Sequence, residues 1–132
     1  MPKVLVIDDD KEVLKIISIA FTKTSSIEIN SVNNANDAID FLKREENVDL
    51  IITDLMMPVI DGFKLIEILK TDMRLKNVPI IVLSIKTSHE DKVRCLMLGV
   101  SGFINKPFNP IELRRKVEEY ILFNTEEALL CR

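Results

Sequence analysis

The chain has 132 residues, of which 47% are hydrophobic, and its formal net charge is −3. This length fits one domain with a core of its own, and the hydrophobic content excludes a disordered chain. The net negative charge argues against a surface that binds nucleic acid. No apolar run approaches the length of a membrane span and the N-terminus carries no leader pattern, so we expect a cytoplasmic protein without a membrane partner. Cys95 and Cys131 form no C-x-x-C pair and are expected to be free thiols.

Five apolar runs predict five strands. Four of them are continuous, which is typical of parallel strands that are covered on both faces. These four runs cover residues 4–7, 50–52, 80–83 and 103–104. The remaining run, residues 27–32, largely alternates between apolar and polar residues and suits an edge strand.

Helical patterns fill the gaps between these strands. They cover residues 11–23, 36–46, 63–70 and 89–98, and a last helix begins at Pro110 with Asn109 as its cap. The alternation of strands and helices predicts an α/β fold, in which helices cover both faces of a five-stranded parallel sheet. The residues predicted to face the core are Val13, Ile16, Ile17 and Ala20 in the first helix, Ala38, Ile39 and Leu42 in the second, Phe63, Ile66 and Leu69 in the third, Val93, Leu96 and Met97 in the fourth, and Leu113, Val117 and Tyr120 in the last.

Polar residues follow four of the strands at the same edge of the predicted sheet, where open α/β sheets bind their ligands. Clustered carboxylates repel one another, and a hard cation such as Mg²⁺ offsets that repulsion. A hydroxyl and an ammonium can then hold the remaining oxygens of a phosphoryl group. The pattern therefore favours phosphoryl transfer to or from a carboxylate. The residues concerned are Asp8, Asp9 and Asp10 after the first strand, Asp54 after the third, Ser84 after the fourth and Lys106 after the last.

Each of these residues also has an ordinary structural explanation. Asp10 is expected to cap the first helix, and Asp8 and Asp9 taken alone would be solvated turn residues. Ser84 alone carries little information, and a lysine before proline is usually an exposed loop residue. Only their joint placement at matching strand ends favours a functional site.

The stretches VLVIDDD, DLIITDLMMPVIDG, VPIIVLS and GFINKPF together resemble the receiver domain of two-component response regulators. The resemblance implies a receiver domain over residues 1–123 with a flavodoxin-like fold and the strand order 2-1-3-4-5. Residues 124–132 are then a C-terminal tail or an extension of the last helix.

The resemblance also implies roles for the acidic residues. Asp54 is the phosphoacceptor and takes its phosphoryl group from a histidine kinase or a phosphotransfer protein. Mg²⁺ is bound by Asp9, by Asp54 and by the backbone carbonyl of Met56, with Asp8 contributing through water. The domain catalyses only its own phosphorylation and dephosphorylation, so it is not an enzyme for a separate substrate.

The remaining implied roles concern the switch. Lys106 contacts the phosphoryl group and forms a cis bond to Pro107. Ser84 and Phe103 change state on phosphorylation, and the face of the fourth helix, fifth strand and fifth helix carries the signal to a downstream protein or an output domain. The sequence leaves open whether phosphorylation also produces a dimer.

Ile85 departs from the family pattern, which has alanine or another small residue at this position. A branched side chain there is expected to crowd the entrance to Asp54. Phosphorylation by small donors and loss of the phosphoryl group should then both be slow. Met56 and Lys86 stand at positions that tune dephosphorylation in the family, in a direction that the sequence leaves open.

Two alternatives compete with this interpretation. A haloacid-dehalogenase-like phosphatase would use Asp8 as nucleophile and Asp10 as acid–base. Lys11 and Glu12 stand where that family has small residues or threonine, and no second acidic pair follows the fourth strand. An adaptor with the receiver fold would signal without phosphate; the intact acidic set argues against it and Ile85 keeps it open.

Overall fold

The computed structural model describes residues 1–22, 26–85 and 87–130, with side chains described as far as Leu122 in the last helix. Strands and helices alternate along the described chain, and all ten predicted elements are confirmed with ends that differ by a residue or two. The strands are β1 (Lys3–Ile7), β2 (Glu28–Val32), β3 (Leu50–Thr53), β4 (Ile80–Ser84) and β5 (Gly102–Asn105). The helices are α1 (Lys11–Thr22), α2 (Ala35–Arg44), α3 (Gly62–Thr71), α4 (His89–Met97) and α5 (Pro110–Leu130).

The five strands form one parallel sheet in the order β2-β1-β3-β4-β5, which confirms the predicted architecture. The continuous apolar runs of β3 and β4 are buried throughout, whereas β2 lies at an edge and is only partly covered. Ile7 and Thr53 are partners in register, so the residues that follow β1 and β3 leave the sheet side by side. The register therefore brings the polar strand ends to one edge.

Two apolar clusters cover the two faces of the sheet, because successive side chains of a strand point to opposite faces. Leu5 packs with the cluster that includes residues of α2, α3 and α4, and its neighbour Val6 packs with the cluster that includes residues of α1 and α5. Each fully buried Leu or Ile contributes about 1.5–3 kcal/mol relative to an exposed one, so these two layers stabilise the sheet.

The core face predicted for α4 is wrong. Val93, Leu96 and Met97 are 41%, 58% and 84% exposed, while Cys95 is fully buried and Leu98 is half-buried. This short helix carries apolar residues on two faces, and periodicity alone does not tell which face packs. Tertiary packing places the smaller Cys95 inward and leaves a stripe of larger apolar side chains in solvent.

The prediction for α1 is wrong at one residue. Ile16 is 44% exposed, whereas Ile17 and Phe21 are buried against the sheet and Leu14 is half-buried. The faces predicted for α2, α3 and α5 are buried or half-buried. Among the described residues, no helix combines the length and the apolar composition that crossing a membrane requires.

The predicted helix caps are confirmed. Asp10 Oδ1 accepts the N–H of Glu12 at 3.0 Å, and Asn109 Oδ1 accepts the N–H of Ile111 at 2.9 Å. Each cap satisfies a backbone donor that has no partner inside the helix and contributes about 1 kcal/mol. Asp10 is thereby accounted for as a structural residue.

A contact that the sequence did not predict closes the other end of α2. The guanidinium of Arg74, from the loop before β4, donates to the carbonyl of Leu42 and, at 3.3 Å, to the carbonyl of Glu45. These carbonyls lie in the last turn of α2 and just after it, where backbone acceptors lack helical partners and favour a positive charge.

We expect Arg74→Ala to lower the free energy of unfolding by about 1–2 kcal/mol, because two carbonyls lose a charged donor. Urea unfolding followed by circular dichroism measures the change. Arg115→Ala, at an exposed position of α5, is the matched control and should leave the midpoint nearly unchanged. Equal midpoints for the two variants would contradict the cap.

Candidate functional site

Asp8 and Asp54 lie next to each other at the carboxyl edge of the sheet. The N–H of Asp54 donates to the carbonyl of Ile7 at 3.0 Å, which continues the pairing of β1 and β3 by one residue. Asp8 is fully buried and Asp54 is 6% exposed, whereas Asp9 is exposed. Asp8 is therefore not a solvated turn residue.

The three carboxylates form one cluster. Asp8, Asp9 and Asp54 each offer an oxygen, and these oxygens lie within 4.8 Å of one another. Two unit charges at about 4 Å repel by roughly 4 kcal/mol at an effective dielectric of 20. An oxygen cluster with one exposed member is the donor set that a hard divalent cation such as Mg²⁺ prefers, so the residues present fit this ion.

Lys106 bridges the two buried carboxylates. Its Nζ lies 2.6 Å from Asp8 Oδ2 and 3.2 Å from Asp54 Oδ2. Burial lowers the pKa of Lys106, but the hydrogen bonds and charges of Asp8 and Asp54 outweigh burial and hold this pKa above its ordinary value. Lys106 therefore stays protonated, and its single charge leaves the cluster of three carboxylates with an excess of negative charge.

Burial also acts on the carboxyl group of Asp8. Burial raises the pKa of Asp8, Lys106 and the backbone N–H of Asp10 oppose this rise, and the charge of Asp54 adds to it. The cost of holding this charge away from water is a second reason why the site favours a cation.

Both oxygens of Asp54 are oriented. Oδ2 faces Lys106, and Oδ1 accepts the backbone N–H of Met56 at 3.1 Å. The Met56 side chain itself is 74% exposed. The carboxylate of Asp54 is thus held in one direction at the mouth of the cluster, with donors already aimed at its oxygens.

Ser84 and Phe103 lie on β4 and β5, the two strands that complete the sheet. Ser84 is 4% exposed, and its carbonyl accepts the N–H of Lys106 at 2.8 Å. The bond from Lys106 to Pro107 is cis, as the resemblance implied. Phe103 is half-buried against the cluster that includes residues of α3 and α4. Ser84 is thereby tied through the backbone to the residue that contacts Asp54.

Ile85 borders an apolar pocket of about 460 Å³ next to the acidic cluster. Its side chain is 74% exposed. Lys106, whose ammonium contacts Asp8 and Asp54, also lines this pocket. Lys86 lies outside the described residues. No pattern in the sequence indicated this pocket, because its other walls come from two segments that are far apart in the chain: Val13 and Ile16 of α1, and Pro107, Phe108 and Pro110 at and before the start of α5.

The loop after Asp54 is tight and locally strained. The N–H of Gly62 donates to the carbonyl of Leu55 at 2.9 Å, and a Cβ on Gly62 would overlap the carbonyl oxygen of Asp54. Val59 has a φ of 68°, and the N–H of Ile60 donates to the carbonyl of Pro58 at 2.9 Å, which together form a γ-turn. A β-branched residue rarely adopts this backbone conformation, so the surrounding anchors impose it.

The family model of the response regulator receiver domain matches residues 4–118. The chain belongs to this family. Receiver domains are signalling domains rather than classical enzymes, and the family binds Mg²⁺ through acidic residues of the kind clustered here. The phosphatase alternative is not favoured, since its proposed nucleophile Asp8 is fully buried against Lys106 and its acid–base Asp10 caps α1. The adaptor alternative is not favoured either.

Other receiver-containing proteins are similar in sequence and fold. The response regulator GtcR of Aneurinibacillus migulanus is 36% identical over 87% of this chain and 46% of its own. A chemotaxis protein CheY homolog of Campylobacter jejuni is 29% identical over 90% of this chain and 92% of its own. The chain thus spans about half the length of GtcR and of the heme response regulator HssR of Staphylococcus epidermidis.

Solved structures of receiver proteins are also similar to this chain. The chemotaxis protein CheY4 of Vibrio cholerae superposes with a TM-score of 0.84 at 28% identity, and the match covers 91% of this chain and 98% of that one. The receiver domain of the Francisella response regulator 1452 superposes with a TM-score of 0.82 at 33% identity, covering 94% of this chain and 99% of its own. These comparisons place the receiver fold on nearly the whole chain.

Two glycines of this receiver domain make a matched pair of substitutions. A Cβ on Gly62 meets backbone atoms of Asp54 and Leu55, which have no room to move, whereas a Cβ on Gly102 meets the hydroxyl end of Tyr120. We expect Gly62→Ala to cost about 3 kcal/mol or more of stability, as severe overpacking does. Gly102→Ala should cost about 1 kcal/mol, the worth of the hydrogen bond from Tyr120 to the Ser101 carbonyl.

Urea unfolding of both variants tests this ranking. Gly102→Ala is the control, since it also adds one methyl group at a crowded glycine. Equal losses of stability in the two variants would show that the loop after Asp54 can yield, and would contradict the tight approach of Gly62.

Proposed function

We propose that this chain is a phosphorylation-activated receiver in which Asp54 accepts a phosphoryl group from a phosphohistidine of a histidine kinase or a phosphotransfer protein. The observation that carries this proposal is the placement of Asp54. Its carboxylate belongs to the cluster of three carboxylates and contacts the Lys106 ammonium, and its oxygens are oriented by Lys106 and by the N–H of Met56.

In this reaction an oxygen of Asp54 attacks the phosphorus atom and the P–N bond of the donor breaks. The electron pair of that bond goes to the imidazole ring, which takes up a proton from water. Lys106 offers its ammonium to a phosphoryl oxygen and is freed from Asp54 as it does so. Later attack of water on the phosphorus returns the Asp54 carboxylate and inorganic phosphate, so the domain would promote its own phosphorylation and dephosphorylation.

Asp9, Asp54 and the backbone carbonyl of Met56 would hold Mg²⁺ directly, and Asp8 would hold it through water. The bound ion supplies positive charge against the phosphoryl oxygens. Lys106 contacts both buried carboxylates. In this proposal the phosphoryl group would bind on the side of Asp54 that faces Lys106.

The apolar pocket beside Lys106 supports a protein as the phosphodonor. A small acyl phosphate is a hydrated anion and gains nothing from an apolar wall, whereas a protein surface can bury apolar side chains there. Binding energy from parts of the donor that do not react then favours transfer at Asp54. Ile85 forms part of this wall. In this proposal its side chain would stand beside the approach to Asp54.

The output surface in this proposal is the face formed by α4, β5 and α5. Ser84 and Phe103 would shift between two states when Asp54 is phosphorylated. The exposed stripe of Val93, Leu96 and Met97 gives α4 an apolar surface that a downstream protein, an output domain or a second phosphorylated copy can cover.

Backbone NMR with Mg²⁺ and beryllofluoride, a mimic of the phosphoryl group, tests Asp54 as the acceptor. We expect signal shifts near Ser84, Phe103 and Lys106 that vanish in Asp54→Asn. Asp40→Asn makes the same chemical change on the exposed face of α2 and should keep the full response. Shifts that survive in Asp54→Asn would move the chemistry to Asp8, and no response in either protein would leave the adaptor interpretation.

The role of Ile85 is tested by its truncation. Ile85→Ala should raise the rate of phosphorylation by acetyl phosphate, and the rate of phosphoryl loss, about five-fold, because relief of about 1 kcal/mol of crowding changes a rate by that factor. Ile85→Val keeps the branched Cβ and is the matched control. Phosphorylation is followed by electrophoresis on a phosphate-binding gel, and equal rates in all three proteins would sink the crowding hypothesis.

A further inference from the structure

Helix α4 is attached to the domain by few buried side chains. Cys95 is its buried residue, and Asp91 and Lys92 are half-buried. Its larger apolar residues project into solvent instead of packing on the sheet. A helix with so little buried apolar area depends strongly on any individual contact that fixes its position.

One such contact joins α4 to α3. The guanidinium of Arg94 lies over the ring of Phe63 at 4.1 Å from the centroid, which is cation–π geometry. Phe63 is only 8% exposed and belongs to the cluster under α3 and α4, so the ring is a fixed platform. Arg94 therefore fastens a weakly anchored helix to a well-anchored one.

The platform is connected directly to the phosphoacceptor. Phe63 follows Gly62, whose Cα packs against the backbone of Asp54 and whose N–H donates to Leu55. The other connection to α4 is along the chain: β4 ends at Ser84, and α4 begins five positions later at His89. Helix α4 thus lies between two attachments, Phe63 on one side and Ser84 on the other.

We propose that the contact between Arg94 and Phe63 is a latch that holds α4 in the position of the unphosphorylated domain. Movement of Ser84 toward a phosphoryl group on Asp54 pulls on α4, because α4 begins only five positions after Ser84, and this pull works against the latch. The inference rests on the proposed phosphorylation of Asp54 and adds the device that sets how readily α4 responds.

Thermodynamic linkage determines whether loss of the latch strengthens or weakens the binding of a phosphoryl mimic. A contact made in the unmodified state and lost in the activated state weakens activation by its own worth, and activation weakens the contact equally. A cation–π contact at an exposed site corresponds to about a two- to five-fold change in an equilibrium constant. Removing the latch should therefore strengthen the binding of a phosphoryl mimic by this factor.

The experiment is a titration with beryllofluoride at saturating Mg²⁺, followed by ¹H–¹⁵N correlation spectra of the whole chain. Arg94→Gln should bind beryllofluoride about two- to five-fold more tightly than the wild type. Before any beryllofluoride is added, the amide signals of Val93, Leu96 and Met97 in this variant should already lie part of the way toward their positions in the bound state. Arg44→Gln, an exposed arginine of α2, removes the same charge and should leave the affinity unchanged.

Phe63→Leu keeps an apolar side chain and removes the aromatic face, and it closes a double-mutant cycle with Arg94→Gln. The two substitutions together should tighten binding no more than either alone, because they remove one contact. Fully additive effects, or an affinity in Arg94→Gln that is unchanged or weaker, would overturn the latch. A wild type that does not respond to beryllofluoride would overturn the proposed function and the latch together.

Discussion

The ammonium of Lys106 between Asp8 and Asp54 is the interaction on which the site depends. It brings the residue that follows the edge strand β5 into contact with two carboxylates that follow the central strands β1 and β3. Without that charge, two buried carboxylates side by side would repel strongly. With it, the cluster still holds more negative than positive charge, and this imbalance favours a hard divalent cation.

The same site places demands on the backbone around it. The N–H of Met56 donates to Asp54 Oδ1 and orients this carboxylate. For this contact the chain must turn directly after Asp54, on its way to α3. Gly62 permits the return because it has no Cβ where the loop touches the Asp54 carbonyl. Val59 lies at the centre of a γ-turn with a positive φ, which is a strained backbone conformation for a β-branched residue. Local strain next to a functional residue is stable here because buried neighbours on both sides fix the loop.

Helix α4 is much less buried than the central strands of the sheet. The central strands are buried throughout, whereas α4 buries chiefly Cys95 and exposes a stripe of larger apolar side chains. A helix held in this way costs little to move and presents a surface that a partner can cover. The contact of Arg94 with Phe63 joins this helix to α3, and Gly62, the residue before Phe63, lies against the backbone of Asp54 and Leu55.

The sequence by itself determined the order of the strands and helices, the parallel sheet, the caps at Asp10 and Asn109 and the polar residues at the strand ends. These features follow from local patterns: continuous apolar runs, helical periodicity and capping residues. Only the tertiary structure decided which face of α4 packs and how completely Asp8 is buried. It also decided that Arg74 contacts the end of α2, that Arg94 contacts Phe63, and that a pocket forms beside Ile85. Each of these depends on side chains from distant segments that meet in the folded chain, and no local pattern records which of them will meet.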